Sequence, residues 1–92
     1  MLEKSAVSQD ESQVIALKAL VFLMGEPDRA NRFMGVTGAT PESIRAGAGE
    51  QGFLRGVLEY LCGDEPLLLV FAESAGIAPE SVDAAARHLE NA

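Results

Sequence analysis

The chain reads as short apolar runs at helical spacing, each closed by a glycine and followed by a proline or an acidic residue. Val14, Ile15, Leu17, Leu20, Val21, Phe22, Leu23 and Met24 make the first run. They cover most of a helix circumference, and a helix apolar nearly all round belongs in the middle of a bundle. Ser8 followed by Glu11 is a capping box, in which side chain and backbone satisfy each other's free N–H groups. The helix they open is expected to reach about Met24 and to stop at Gly25, which tolerates the left-handed conformation of a helix end.

Glu26-Pro27-Asp28 opens a second, short helix with Ala30, Phe33 and Met34 on one face and Gly38 as its stop. Thr40 caps a third, Pro41 presets its first turn, and Glu42 lies where the helix dipole favours an anion. That helix is expected to fray into Gly47-Ala48-Gly49, and Gly47, Gly49 and Gly52 read as a flexible linker. A fourth helix from about Glu50 to Cys62 places Phe53, Leu54, Val57, Leu58 and Leu61 on one face and turns Arg55 and Glu59 the other way. Asp64-Glu65-Pro66 begins a fifth. Its Leu67–Phe71 run resembles a buried strand, but it continues through Ala72–Ala75 to Gly76, a helix ending. Ala78-Pro79-Glu80 opens the sixth, with Val82, Ala85, Ala86 and Leu89 on one face.

Two stretches are alike at an offset of 38 positions: Gly38–Ala48 matches Gly76–Ala86. The match extends upstream, pairing Phe33 with Phe71, Gly25 with Gly63, Leu23 with Leu61, Leu20 with Leu58 and Phe22 with Tyr60. Glycine stops and core residues repeat, which are the features that specify a fold. The expectation is an all-α protein, a compact bundle of about six short helices in two pseudo-symmetric three-helix units. Residues 1–8 form a loose tail, and residues 9–92 form a single helical domain with repeat units at about 9–48 and 49–92. One unit alone has too small a core, so the two should pack face to face.

Composition narrows what such a bundle does. Fourteen acidic residues stand against seven basic, for a net charge of −7. Nucleic acid needs a surface dense in Lys and Arg, so it is not an expected partner. Residues 1–46 hold five basic and six acidic side chains, or −1; residues 47–92 hold two and eight, or −6. One cysteine, Cys62, excludes an internal disulfide and fits a reducing compartment. With no apolar run near the ~20 residues of a membrane span and a polar N-terminus, a cytoplasmic protein without membrane attachment is expected.

No catalytic constellation is present, so no enzyme activity and no cofactor are expected. His88 is the only histidine, and a metal site needs several ligands. Cys62 ends an apolar face like a small buried hydrophobe. Glu59, Asp64 and Glu65 make the densest acidic group, suited to an acidic docking face, although Asp64 and Glu65 also sit where a helix begins. Arg29, Arg32 and Arg45 concentrate positive charge. Arg29 and Arg32, one turn apart, are placed either to contact an anion or partner or to pair with Glu26, Asp28 or acids of the second unit.

Ala19-Leu20-Val21-Phe22-Leu23, Arg32-Phe33-Met34, Thr37-Gly38-Ala39-Thr40-Pro41-Glu42-Ser43-Ile44-Arg45, Phe53–Leu61, Asp64-Glu65 and Phe71 together resemble an uncharacterised family of short alphaproteobacterial proteins, a domain of unknown function. The resemblance covers about residues 14–89. It implies a bacterial, compact helical protein and supplies no activity. The function expected is that of an interaction or accessory protein binding another protein, with self-association open. The alternative is a small-ligand binder for an anion, or a minor enzyme, using a cleft between the two units.

Overall fold

The computed structural model describes residues 8–91, which form six helices and, among the described residues, no strand. These are α1 (Gln9–Met24), α2 (Pro27–Thr37), α3 (Pro41–Gly47), α4 (Gln51–Cys62), α5 (Glu65–Ala75) and α6 (Pro79–Asn91). Of the expected tail, residues 1–7 lie outside the described residues, while Ser8 is the N-cap of α1. Its hydroxyl accepts from the Glu11 N–H and the Glu11 carboxylate accepts from the Ser8 N–H, at 3.0 and 2.9 Å. Thr40 and Ser43 form the same reciprocal box at α3. The Asp64 carboxylate accepts from the Leu67 N–H at the start of α5.

Two of the glycine stops differ from expectation. Gly38 and Gly76 are left-handed, at φ 79° and 68°. Gly25 and Gly63 are right-handed, at φ −80° and −82°. At those two ends the chain turns directly into the next helix, so a tightened final turn suffices. The expected linker is also different. Gly52 lies inside α4, and Gly47 is buried, where a Cβ would fall 2.5 Å from Cγ of Phe53. Absence of a side chain there lets the ring close over the end of α3, so the connection is a packed turn.

The core lies between α1, α4 and α6, with α2 and α5 flanking it and α3 resting on α4. Ala16, Ala19 and Leu23 of α1 meet Leu54, Leu58 and Leu61 of α4 and Val82, Ala85 and Leu89 of α6, all buried. Small residues on α1 and α6 allow close approach, and the leucines of α4 fill the space between them. A polar clasp ties the three helices at one end. The Gln9 amide donates to the Gln51 side-chain oxygen, and the Gln51 amide donates to the Leu89 carbonyl, both at 2.9 Å.

Positions paired by the 38-residue offset share burial: Ala16 with Leu54, Ala19 with Val57, Leu20 with Leu58, Leu23 with Leu61, Phe33 with Phe71 and Ile44 with Val82. The same offset exchanges the two aromatic pairs, since Phe22 packs on Phe71 at 5.3 Å and its counterpart Tyr60 packs on Phe33 at 5.1 Å. The third helices break the relation. α3 has 7 residues and rests mainly on α4, whereas α6 has 13 and packs chiefly on α1 and α4, with a smaller contact to α5. The relation is visible in the first two helices of each expected unit, and the third helices are packed differently.

Leu23 and Leu61 are fully buried in this core. Truncating either, Leu23→Ala or Leu61→Ala, should cost about 2–5 kcal/mol. Val36→Ala, at an exposed position, should stay within about 0.5 kcal/mol. Urea unfolding followed by circular dichroism compares the three.

Candidate binding surfaces

The residues flagged in the sequence scatter. Arg29 bridges α2 to α1: its guanidinium lies 4.0 Å from the centre of the Phe22 ring, its Nε donates to the Phe22 carbonyl at 3.2 Å, and Glu26 stands 3.4 Å away. It is a structural clamp whose charge is already engaged by a ring face, a carbonyl and a carboxylate. Arg32 and Arg45 are exposed, on α2 and in the last turn of α3, and neither has an acid within ion-pairing distance among the described residues. None of the three arginines lines either of the two hollows described below. Glu59 pairs with Arg55 at 3.7 Å along α4, Asp64 is spent on the α5 cap, and Glu65 sits exposed in the first turn of α5. His88 is half-buried near the end of α6. The described residues contain no group of three His, Cys, Asp or Glu placed to hold a metal.

Cys62, half-buried at the end of α4, packs against the core. Burial pushes its thiol above the ordinary value, Asp83 and Glu59 add to the rise, and Arg87 opposes it. A neutral, hindered thiol is a poor nucleophile.

Two hollows exist where the sequence marked nothing. The first lies between the α2–α3 turn and α4, about 370 Å³, and its lining includes Phe33, Phe53, Val57, Gly52 and Gly56. The second is a groove of about 490 Å³ between α1 and α5. Val14, Leu17, Lys18, Val21 and Phe22 line one side of it, and Phe71, Ser74 and Ala75 the other. Val14, Leu17 and Val21 follow i, i+3, i+7 spacing and remain 49, 40 and 72% exposed. Val70, one turn before Ser74 on α5, is also exposed. The expectation that α1 is enclosed therefore fails along one stripe. α2, α4, α5 and α6 cover the rest of its circumference, and nothing among the described residues covers this one.

The offset that pairs core residues also pairs this stripe with a surface of α4. Leu17 corresponds to Arg55 and Val21 to Glu59, which form an ion pair on α4. Val14 and Lys18 correspond to Gly52 and Gly56. The chain thus contains a polar, solvent-adapted form of this helix face and an apolar one. Burial of the shared core pairs dictates neither.

A family model described as "Protein of unknown function (DUF3572)" matches residues 9–92. The chain belongs to that family. No characterised protein and no solved structure shows significant similarity to it. No described helix is long and apolar enough to cross a membrane.

The pH dependence of Cys62 follows from its surroundings. Folding favours the neutral thiol, so the stability this contributes is present at low pH and is lost as pH rises through the elevated pKa. Iodoacetamide labelling should reach half its maximal rate at a higher pH than for free cysteine measured alongside. Asp83→Asn should lower that midpoint, and Arg87→Gln should raise it.

Proposed function

We propose that this is an interaction protein that receives an amphipathic helix of another protein in the α1–α5 groove. The observation that carries the reading is the contrast between Leu17 and Val21 on α1 and their counterparts Arg55 and Glu59 on α4. A stripe at i, i+3, i+7 beside a groove is the shape that accepts the apolar face of a helix. Contiguous exposed apolar surface is a usual mark of a docking site. Charge selects the occupant further. Among the described residues Lys18 is the only charged side chain lining the groove, in a chain whose net charge is −7. The fitting helix carries one acidic residue among its apolar ones, set against Lys18. On this reading docking lies on the apolar face of α1 beside α5, while Glu59 and Asp64 are engaged by the ion pair on α4 and the cap of α5 and Glu65 sits in the first turn of α5.

The double variant Leu17→Arg, Val21→Glu gives α1 the surface that α4 already carries, so the fold should be kept with an unchanged melting temperature. Its binding should fall about tenfold or more, because both replaced side chains lose apolar burial at the interface. A photo-crosslinking residue at Val14, used in cells, should trap one discrete adduct in the parent chain and lose it in the double variant. Binding of the captured protein should persist at high salt, unlike an attachment made by exposed charges. An adduct undiminished in the double variant, or an adduct of twice the mass of the chain, would overturn the reading.

A further inference from the structure

We infer that Arg29 is a positioning residue of the α1–α5 groove, which it does not itself line: it holds Phe22 against Phe71 and so fixes how far apart the two walls stand. That the groove takes a helix rests on the function proposed above; how Arg29 holds its wall does not. Phe22 lines the groove from α1 and Phe71 from α5, and their rings meet at 5.3 Å. α5 meets α1 more sparsely than it meets α4 or α6, so this aromatic contact is a main tie between the walls. Phe71 is buried in the core, whereas Phe22 is half-buried and is the member of the pair that needs a restraint. Arg29 supplies it from α2. Its guanidinium lies 4.0 Å from the centre of the Phe22 ring, where the electron-rich face attracts a cation. Its Nε donates to the carbonyl of the same residue at 3.2 Å. That carbonyl lies in the last turn of α1, whose negative end carries no basic residue of its own. Side chain and backbone of Phe22 are thus gripped by one group, and Glu26, 3.4 Å from Arg29, steadies it.

The matched step in the other half is built without this clamp. The offset of 38 places Leu67 at the position of Arg29 and Asp64 at that of Glu26. Asp64 caps α5 by accepting from the Leu67 N–H, and the Leu67 side chain packs against the core. Glu26 makes no side-chain cap to α2, and its carboxylate faces the Arg29 guanidinium instead. One half uses its acid at the helix start and the other uses it to hold an arginine. Tyr60 meets Phe33 at 5.1 Å with a leucine at the matched place, so a ring pair of this kind forms in the fold without a cation beside it. The half that carries the arginine is the one whose α1 lines the apolar groove.

The test compares the parent chain with Arg29→Leu, which installs the residue of the other half, and Arg29→Lys, which keeps a cation able to reach the ring. NMR on phenylalanine-labelled protein reads the contacts between the Phe22 and Phe71 rings directly. Arg29→Leu should weaken those contacts and shift the amides of Val21, Ser74 and Ala75, while those of Leu58 and Val82 stay in place. Arg29→Lys should restore part of the loss. The adduct trapped by a photo-crosslinking residue at Val14 should fall about fivefold in Arg29→Leu and recover in step with the ring contacts in Arg29→Lys. Glu26→Gln, which leaves Arg29 in place, serves as a milder variant should Arg29→Leu not fold, and should loosen the same contacts to a smaller degree. Unchanged ring contacts in a folded Arg29→Leu chain would overturn the inference, as would an undiminished Val14 adduct where those contacts are lost. A parent chain that traps nothing at Val14 would instead remove the docking function, with the ring contacts still deciding whether Arg29 sets the wall.

Discussion

Everything in this fold depends on the seat that α1 and α4 make for α6. Alanines at Ala16 and Ala19 bring α1 close to α6, whose own Ala85 and Ala86 reciprocate, and Leu54, Leu58 and Leu61 close the remaining side. The helix that completes this packing is the last one described. Its partners on α1 lie near the opposite end of the described chain, so the core is closed by contacts of large sequence separation. The Gln51 bond to the Leu89 carbonyl and the Gln9 bond to Gln51 fasten the same junction. The polar groups involved are thereby satisfied where the three helices meet.

That seat also determines what is left uncovered. α6 takes one side of α1, α2 and α5 flank it, and α4 backs it. A helix with apolar residues nearly all round then has one stripe remaining in water. α4 meets a similar situation with Arg55 and Glu59, a charged pair along the helix. α1 places Leu17 and Val21 there instead. A contiguous apolar stripe left in water beside a groove is a usual mark of an interaction site. The departure from the expected burial is where the fold gives its strongest indication of function.

Much of the architecture was legible because it rests on local rules. Ser8 with Glu11 and Thr40 with its following turn read as caps because one side-chain oxygen must reach one N–H a fixed distance ahead. The repeated leucines and phenylalanines read as core because helical spacing puts them on one face. What was not legible depends on neighbours. The handedness of Gly25 and Gly63 is set by how tightly the next helix follows, so both stop a helix without turning left-handed. Gly47 reads like any linker glycine until Phe53 is placed over it. Arg29 was expected to contact an anion or pair with an acid, and it does pair with Glu26. Its place over the Phe22 ring comes from the α1–α2 turn, which periodicity does not describe. The hollows are the least legible of all, since each is bounded by residues from separate helices.

The two surfaces illuminate one another because the sequence places them at matched positions. Where α1 has Val14 and Lys18, α4 has Gly52 and Gly56; where α1 has Leu17 and Val21, α4 has Arg55 and Glu59. The first set builds an open apolar groove with one cation, suited to the flank of a helix. The second has no side chain at Gly52 and Gly56 and carries an Arg55–Glu59 ion pair, beside a hollow that the two glycines line and the ion pair does not. Residues common to both halves are the buried ones, and their packing fixes the fold whichever surface lies outside. The face of each helix that packing leaves free is where the halves differ in chemistry, and on the proposed function the apolar version of that face, on α1, is the one that takes an occupant.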